Sequence, residues 1–320
     1  MGNKIDFINW QKIKNPVYKY KRWSVKDACM EYKDGIFYLF YSAFYWDRWK
    51  IRSHIIEVTT QDWISFSEPI LHLNGKKDGW TGLCSPNISK INNTYYLTFN
   101  SWGGWHPNKR TNNLFYIQSQ DLRSWSRMKQ IAKNLTEEIE VIDIAITYAN
   151  NKFYVIWKQE HDQTGKTTKV TYIGTCHDLD DKCELIEDGR PKFILKTGKE
   201  SDKIHENYQF IKIDGDWYLL STDYTPHRPY LYKMGGSNNG KQNSDWLLWK
   251  DGYELKVPEE NFNTNHRSNA SFLADWREYK DNGYFYLLYA GRTEGWTHAH
   301  RGNNKLGLAR SNDLENWHIH

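Results

Sequence analysis

The sequence has few cysteines, no proline- or glycine-rich linker and no long apolar run, and each shortage excludes a class of protein. Its four cysteines, in 320 residues, form no Cys-x-x-Cys pair, so they indicate neither a zinc site nor a disulfide scaffold. We expect scattered thiols within strands at Cys29, Cys84, Cys176 and Cys183. No apolar run reaches the roughly 20 residues that a membrane-spanning helix needs, so we predict no membrane partner.

An excess of charge of one sign is also missing. The chain has 43 basic and 39 acidic residues and a formal net charge of +4. Nucleic-acid-binding proteins usually concentrate basic charge, so the balance argues against a nucleic-acid partner. The first residues contain no apolar signal segment, which predicts either a cytoplasmic protein or a secreted or periplasmic one whose leader has been removed.

Aromatic residues are abundant, with 16 Trp, 22 Tyr and 13 Phe. Aromatic side chains favour strands and bury a large area each, so they predict a β-rich core. The stretch VKDACMEYKDGIFYLFYS, residues 25–42, shows the pattern in detail. Two alternating runs flank the turn signal Asp34-Gly35, which predicts a β-hairpin, and a lone acid, Asp27, stands near its start.

This hairpin pattern recurs about every 60 residues, somewhat longer than the ~40–50 residues of common propeller repeats. Counting back twelve residues from the aromatic strand of each copy reaches Asp27, Ser85, Asp143 and Asn207, the last of which follows Glu206. A fifth copy ends at residues 287–291. Only some copies therefore place an acid at the start of the first strand.

A second signature follows the third strand of most copies. An aspartate begins the turns DWISF, DLRSW and DLENW at Asp62, Asp121 and Asp313, and an aromatic residue ends them. The aspartate is expected to bond its own backbone, and the aromatic residue to pack between adjacent sheets.

Five copies of a short antiparallel unit without helical periodicity predict an all-β, five-bladed β-propeller of four-stranded antiparallel blades. Because no linker interrupts the period, residues 1–320 are expected to form a single domain. The chain stops where the last blade should add its fourth strand. We therefore predict that residues 9–16 supply that strand and pair around Lys305–Ala309, which closes the ring.

In such blades, the start of the first strand and the loop after the second strand lie on one face. The loops on that face are rich in Trp, His and Arg, which suits stacking on sugar rings and bonding to hydroxyl groups. The candidate substrate-binding residues are Trp46, Trp102, Trp105, His266 and Arg292. Each tryptophan could instead close over its own blade, and Arg292 could pair with a local acid. For His298 and His300 no third metal ligand is specified, so a solvated loop is expected.

Asp27, Asp143 and Glu206 are the sharper signal. Carboxylates at equivalent positions of three blades would face one another across the axis, and like charges brought close raise at least one pKa. A protonated carboxyl opposite an ionised one is the equipment of glycoside hydrolysis. The alternative is that neighbouring lysines, such as Lys26, fix these acids as structural ion pairs.

The three acids, each about a dozen residues before an aromatic strand, resemble the catalytic trio of glycoside hydrolase family 43, and the resemblance covers nearly the whole chain. It implies that Asp27 is the general base, Asp143 tunes and orients the acid, and Glu206 is the general acid. Ser85-Pro86-Asn87 resembles an Ala-Pro-Asp segment of the family. The chain has Ala28 where the family usually has Pro, and Asn207-Tyr208 where it usually has Gly-Pro, so families 32, 68 and 117 are possible neighbours.

The resemblance implies a glycosidase that cleaves a terminal bond of an arabinofuranoside- or xyloside-like oligo- or polysaccharide. Inversion is implied, with base and acid roughly 6.5–9.5 Å apart. No cofactor is expected to be required, although relatives often place a histidine, here His266, near the axis, sometimes over a water or a calcium ion. A non-catalytic carbohydrate-binding propeller and a retaining fructosyl-type hydrolase or transferase are the alternatives.

Overall fold

In the computed structural model, the residues described are 8–104, 112–236, 238–277, 283–295, 298 and 302–320. The fold is all-β and consists of several sheets. Helical structure in this part of the chain is limited to α1 (Lys133–Thr136) and short 3₁₀ turns at Trp10–Lys12, Gly75–Asp78, Asn243–Leu247 and Thr264–His266. None of the described helices is long and apolar enough to cross a membrane.

The strands form five consecutive groups whose neighbouring strands are antiparallel, except for one parallel pair in the fourth group. A parallel bridge between Ser53 and Gly82 joins the first two groups in one sheet. The first two groups are β1 (Ser24–Lys33), β2 (Ile36–Asp47), β3 (Lys50–Thr60) and β4 (Leu71–Leu73), then β5 (Trp80–Ile91), β6 (Thr94–Gly104), β7 (Leu114–Ser119) and β8 (Lys129–Gln130). The third is β9 (Glu140–Ala149), β10 (Lys152–His161), β11 (Thr167–Cys176) and β12 (Glu184–Leu185). The fourth is β13 (Lys192–Leu195), β14 (His205–Ile213), β15 (Asp216–Asp223), β16 (Pro229–Met234) and β17 (Leu248–Glu254). The fifth is β18 (Ser268–Asp275), β19 (Phe285–Gly291) and β20 (Lys305–Ser311).

The predicted hairpins are confirmed at the start of the first four groups. Lys33 pairs with Ile36, so Asp34 and Gly35 form a two-residue loop with φ of 51° and 82°. Positive φ at both loop residues matches the twist of the flanking strands, and Asp-Gly tolerates it well. The same loop recurs as Asn92-Asn93, Asn150-Asn151 and Asp214-Gly215.

Each first strand contains a β-bulge at the same place. Between β1 and β2 the register advances three residues on one strand, from Lys26 to Cys29, and two on the other. The residue after each bulge start has a positive φ: 53° at Asp27, 56° at Ser85, 58° at Asp143, 51° at Asn207 and 47° at Ala270. Such bulges turn a side chain away from the ordinary alternation of the strand. They are what aims these five residues differently from their neighbours.

The turn signature is confirmed as a structural device. Asp121 Oδ1 accepts hydrogen bonds from the backbone N–H groups of Arg123 and Ser124, and Asp62 and Asp313 do the same in their own turns. The aromatic residue that ends the second turn, Trp125, packs edge-on against Phe40 of the first group. The aspartates therefore fix the turns, and Trp125 joins two groups.

The two ends of the chain meet, although not as predicted. Residues 9–16 include a 3₁₀ turn at Trp10–Lys12 and no strand. Instead, Tyr18 forms one antiparallel bridge with Leu306, and the Asn15 side chain bonds the backbone of Leu308. Pro16 lies in this segment, and proline cannot donate a backbone hydrogen bond, so a continuous strand is disfavoured here.

The cysteine prediction was wrong for one pair. Cys176 and Cys183, seven residues apart, are bonded as a disulfide between the end of β11 and the segment before β12. Cys29 and Cys84 are free and buried, as expected. The spacing of the bonded pair carries no zinc or redox signature, so the sequence pattern did not indicate it.

Glu57 on β3 is a carboxyl group buried where the first and second groups of strands meet. Its side chain is buried, accepts a hydrogen bond from Trp125 Nε1 at 3.2 Å, and leaves Oε1 without a partner among the described residues. Burial raises the pKa of Glu57 to about 8.

Because the folded state holds this proton more tightly than the unfolded chain, Glu57 costs stability as pH rises from about 4.5 to 8. We expect Glu57→Gln to match the wild type in melting temperature near pH 4 and to melt at a higher temperature at pH 8. Parallel melting curves across this range, with no widening of the difference, would contradict the buried carboxyl.

Candidate active site

Two sets of side chains at the five bulges, which we call the first and the second ring, line two cavities that share three residues. The residues that start the bulges, one from each group, are Lys26, Cys84, Ile142, Glu206 and Asn269, and all of them line one cavity of about 370 Å³. The residues that follow them form the second ring: Asp27, Ser85, Asp143, Asn207 and Ala270. Asp27, Ser85 and Asp143 also line the cavity. Asp27, Asp143 and Glu206 are therefore brought to one cavity.

Asp27 and Asp143 are joined by an amide. Asn207 Nδ2 donates to Asp143 Oδ1 at 3.1 Å and lies 3.4 Å from Asp27 Oδ1, and Lys26 Nζ lies 3.0 Å from the same Asp27 oxygen. Asp27 Oδ2 has no hydrogen-bond partner within the described part of the chain. Oδ1 therefore holds Asp27 in place, and Oδ2 remains available to accept a hydrogen bond.

Glu206 is held by a buried lysine. Lys158 Nζ lies 2.9 Å from Glu206 Oε2 and also contacts Glu160, and its side chain is fully buried. Burial alone would raise the pKa of Glu206, but the charges of Lys158 and Lys26 outweigh it and lower that pKa. The contacts of Glu206 therefore favour its ionised form.

The raised pKa belongs to Asp143 instead. Burial and the nearby charge of Glu206 raise the pKa of Asp143 to about 7, against the opposing charges of Lys26 and Lys158. Two carboxyl groups that interact this strongly titrate as a pair. Below about pH 7 the pair holds one proton, and that proton lies on Asp143 because the cation beside Glu206 favours the ionised form of Glu206.

Lys158 departs from a pattern that three of the other four groups keep. Its counterparts on the second strands are Ser42, Asn100, Thr222 and Ala290. Three of these accept a hydrogen bond from the bulge N–H of the next group, at Ser85, Asp143 and Ala270. A lysine has no acceptor and cannot do so. Its place is therefore explained by the carboxylates it binds.

Aromatic and basic side chains form the walls of the cavity. On one side, His298 packs edge-on against Phe44 and Trp102, and burial together with the charge of Lys26 lowers the pKa of His298 to about 4. On the side of Glu206 the lining includes Tyr224, His227 and Arg292. A mixed apolar and polar lining of this kind suits a sugar.

The predicted substrate-binding residues divide accordingly. Trp102 and Arg292 line the cavity, whereas Trp46 and His266 are not part of its lining. Trp46 stands 46% exposed near the end of β2, and His266 Nδ1 bonds the carbonyl of Val257. Trp105 lies outside the described residues.

His298 corrects an expectation, since it lies in the cavity wall rather than on a solvated loop; His300 lies outside the described residues.

Sequence reasoning missed several lining residues, among them Lys158's partner Glu160 and also Glu140, Tyr224 and His227. All four lie in or beside segments that the repeat assigns to this face. Lys158 carried a usable signal, because a lysine in the middle of an aromatic strand is unusual unless it is paired. The repeat alignment could have marked it as the exception among its counterparts.

The calcium ion that the resemblance made possible near the axis does not fit these side chains. Calcium prefers six to eight oxygen ligands, whereas here the Asn207 amide nitrogen already bridges one oxygen of each nearby aspartate. No group of three or more His, Cys, Asp or Glu side chains among the described residues is arranged to hold a metal ion. The space below the acids, about 20 Å³, has room for one water.

Comparisons with solved structures show the fold. An α-L-arabinofuranosidase from Lactobacillus brevis matches with a TM-score of 0.64 at 13% identity, over 96% of each chain. A family 43 β-xylosidase/α-arabinofuranosidase from a compost microbial metagenome, solved with xylotriose, matches with a TM-score of 0.62 at 14% identity, over 94% of this chain and 96% of that one. This chain therefore has a fold like that of family 43 glycoside hydrolases.

The same fold extends beyond that family. A structure described with the family 130 mannoside phosphorylases and glycoside hydrolases acting on β-1,2 mannosidic linkages matches with a TM-score of 0.62 at 14% identity, over 93% of this chain. The sequence matches no protein-family model and no curated protein. The predicted family 43 resemblance is thus confirmed as a resemblance of fold.

Proposed function

We propose that the protein is a glycosidase that hydrolyses a terminal glycosidic bond by direct attack of water. The observation that carries the proposal is the placement of Asp27, Asp143 and Glu206 on one cavity, each with distinct partners. Neighbours of the same fold include an enzyme solved with xylotriose and an arabinofuranosidase, which supports a xyloside- or arabinofuranoside-like substrate class.

Each acid has a role that its contacts suit. Asp27, whose Oδ2 has no partner among the described residues, takes a proton from water as the water oxygen bonds to the anomeric carbon. The bond from that carbon to the leaving oxygen breaks, and the leaving oxygen takes a proton from Glu206, which has first received that proton from Asp143. The Asp143–Glu206 pair supplies this proton, so Asp143 controls when Glu206 is protonated. Direct attack by water inverts the anomeric carbon.

The position of the proton adds a second candidate for the donor. Because the pKa of Asp143 is raised to about 7 while that of Glu206 is lowered, Asp143 is the protonated member before substrate binds. Asp143 could then protonate the leaving oxygen itself. An activated glycoside separates the two roles, because only the variant of the true donor regains activity when the leaving group needs no proton.

The fold proposal is a five-bladed propeller that closes through its chain ends. It is supported by the five equivalent bulges and by contacts between the first and last groups: Val25 N–H donates to Asn304 at 3.1 Å, and Asn304 N–H donates to Ser24 Oγ at 2.9 Å. Side chains of both groups share one hydrophobic core. The ring places the first-ring residues around one axis, which the proposed site requires.

Lys158→Met tests the electrostatic part of the proposal. Removing the cation leaves two carboxylates unpaired in a buried site, which costs about 3–5 kcal/mol of unfolding free energy at neutral pH. Part of this loss should return at lower pH, as the carboxyls become protonated. Without the lysine the pKa of Glu206 rises, so the alkaline limb of the pH–rate profile should move to higher pH.

Lys166→Met, on an exposed loop of the same group, is the matched control and should change neither property. The alkaline limb is measured as kcat/KM against pH. If it lies at the same pH in Lys158→Met as in the wild type, Lys158 does not set the pKa of the proton donor.

The direct test of function is hydrolysis of a panel of neutral xylosides and arabinofuranosides by the wild-type protein. Sugar binding by isothermal titration without turnover of any member would favour the non-catalytic propeller. Turnover with retention would favour the retaining fructosyl-type reaction.

A further inference from the structure

The wall of the cavity beside Glu206 carries an excess of unpaired positive donors. Arg292 lines the cavity, its Nε is buried, and within the described residues its guanidinium makes no hydrogen bond or ion pair. The nearest carboxylate, Glu206, is already bound by Lys158. Buried guanidinium donors left without an acceptor are rare in folded proteins, because their water has been removed and not replaced.

A second arginine stands opposite. Ser268 on β18 pairs with Gly291 on β19, so Arg267 and Arg292 occupy the next facing positions of the two strands. Like charges at facing positions repel and destabilise a strand pair. Arg267 Nε and Nη1 are both buried without a partner in the part of the chain that the structure describes. Within the described ranges its one ion pair is a 3.4 Å contact with Glu294, whose side chain is 67% exposed.

A histidine completes the group. His227 lines the same cavity, and its carbonyl accepts the N–H of Ser268, the first residue of β18, at 3.0 Å, which holds it against Arg267. Its Nδ1 is buried and has no hydrogen-bond partner among the described residues. Burial and the charge of Arg292 lower the pKa of His227 to about 4, so it is neutral and offers one ring N–H.

We propose that Arg267, Arg292 and His227 form a subsite for an oxyanion, such as the carboxylate of an acidic sugar or a phosphate. A guanidinium presents parallel N–H donors that match the paired oxygens of a carboxylate or phosphate. An anion between the two arginines would satisfy their donors and remove their mutual repulsion. This inference rests on the proposed function, and it narrows the substrate to a glycoside with an anionic group, or to one that is used together with a free anion.

The test compares matched charged and neutral ligands. Thermal unfolding of the wild type is measured with D-glucuronate against D-glucose, with D-galacturonate against D-galactose, and with inorganic phosphate alone, all at constant ionic strength. We expect at least one oxyanion to raise the melting temperature, and its neutral parent at equal concentration to have less effect. A uronate that acts alone identifies the sugar acid as the source, and phosphate that acts alone identifies a free anion. Equal effects of acids and their neutral parents would overturn the proposal.

Two variants locate the effect. Arg292→Gln and Arg267→Gln should each weaken oxyanion binding, measured by titration calorimetry, by at least tenfold. Arg127→Gln, at an exposed arginine on the second group, controls for general salt effects and should bind as the wild type does. Because each substitution relieves a like-charge pair, neither variant should melt below the wild type without ligand. A lower melting temperature in both, or unchanged oxyanion binding, would show that the arginines serve the fold alone.

These readouts do not require turnover. Oxyanion binding without any hydrolysis would leave this subsite intact and remove the proposed glycosidase. Hydrolysis of neutral glycosides without any oxyanion effect would support the glycosidase and overturn the oxyanion subsite.

Discussion

Glu206→Gln should lower kcat/KM on an unactivated glycoside by about 10²–10⁴-fold, the range expected for loss of a positioned general acid. Glutamine keeps the shape of the side chain and can still accept a hydrogen bond from Lys158, but it has no proton to give. An aryl glycoside with an acidic phenol as leaving group needs no protonation. On that substrate the variant should therefore stay within about tenfold of the wild type.

The control for this experiment is Glu315→Gln, an exposed glutamate whose side chain is 61% accessible, which should leave both rates unchanged. Asp143→Asn belongs in the same comparison, because Asp143 carries the raised pKa. If Asp143→Asn recovers on the aryl glycoside and Glu206→Gln does not, Asp143 is the proton donor and Glu206 is not. If both variants lose activity on both substrates, neither Glu206 nor Asp143 acts only as the proton donor.

Asp27→Asn should abolish turnover on natural and activated glycosides alike, again by about 10²–10⁴-fold. The water must still lose its proton whatever the leaving group, so a better leaving group cannot compensate. Azide attacks without giving up a proton. Added azide should therefore restore cleavage of the activated substrate and yield a glycosyl azide of inverted configuration.

Asp34→Asn is the matched control for that variant, since Asp34 is exposed in the hairpin turn of the same strand and asparagine is well tolerated there. Its activity should equal that of the wild type. If Asp27→Asn regains activity on activated glycosides without azide, Asp27 is not the general base.

Local patterning predicted much of the fold. The hairpins followed from alternation and from turn residues that tolerate positive φ, such as Asp34-Gly35, and these forces act within a few residues. The Asp turns were equally local, since Asp121 bonds N–H groups two and three residues ahead. The repeat placed Asp27, Asp143 and Glu206 at equivalent positions and so predicted that they lie close together. In the structure all three line one cavity.

What the sequence could not supply depends on contacts between distant segments. The pairing of Lys158 with Glu206 joins β10 to β14 and decides which carboxyl is protonated, so the pKa difference inside the trio was not visible in the spacing. The contact of the N-terminal segment with β20 was placed correctly in space. Its form was not, because Trp10–Lys12 adopts a 3₁₀ turn.

The structure gives one departure from the family 43 pattern, Asn207, a role in the site. Asn207, which stands where a glycine is usual, donates to Asp143 and lies 3.4 Å from Asp27. The side chain thus holds the two aspartates in place, a role that glycine could not fill. We infer that this substitution adapts the site and does not by itself indicate loss of catalysis.

The most direct test of the central claim is the configuration of the first sugar released. Proton NMR of the wild-type reaction, followed from mixing, reports which anomer forms before mutarotation. We expect the inverted anomer to appear first, because one water attacks directly with Asp27 as base. First appearance of the retained anomer, or sugar binding with no release at all, would contradict it.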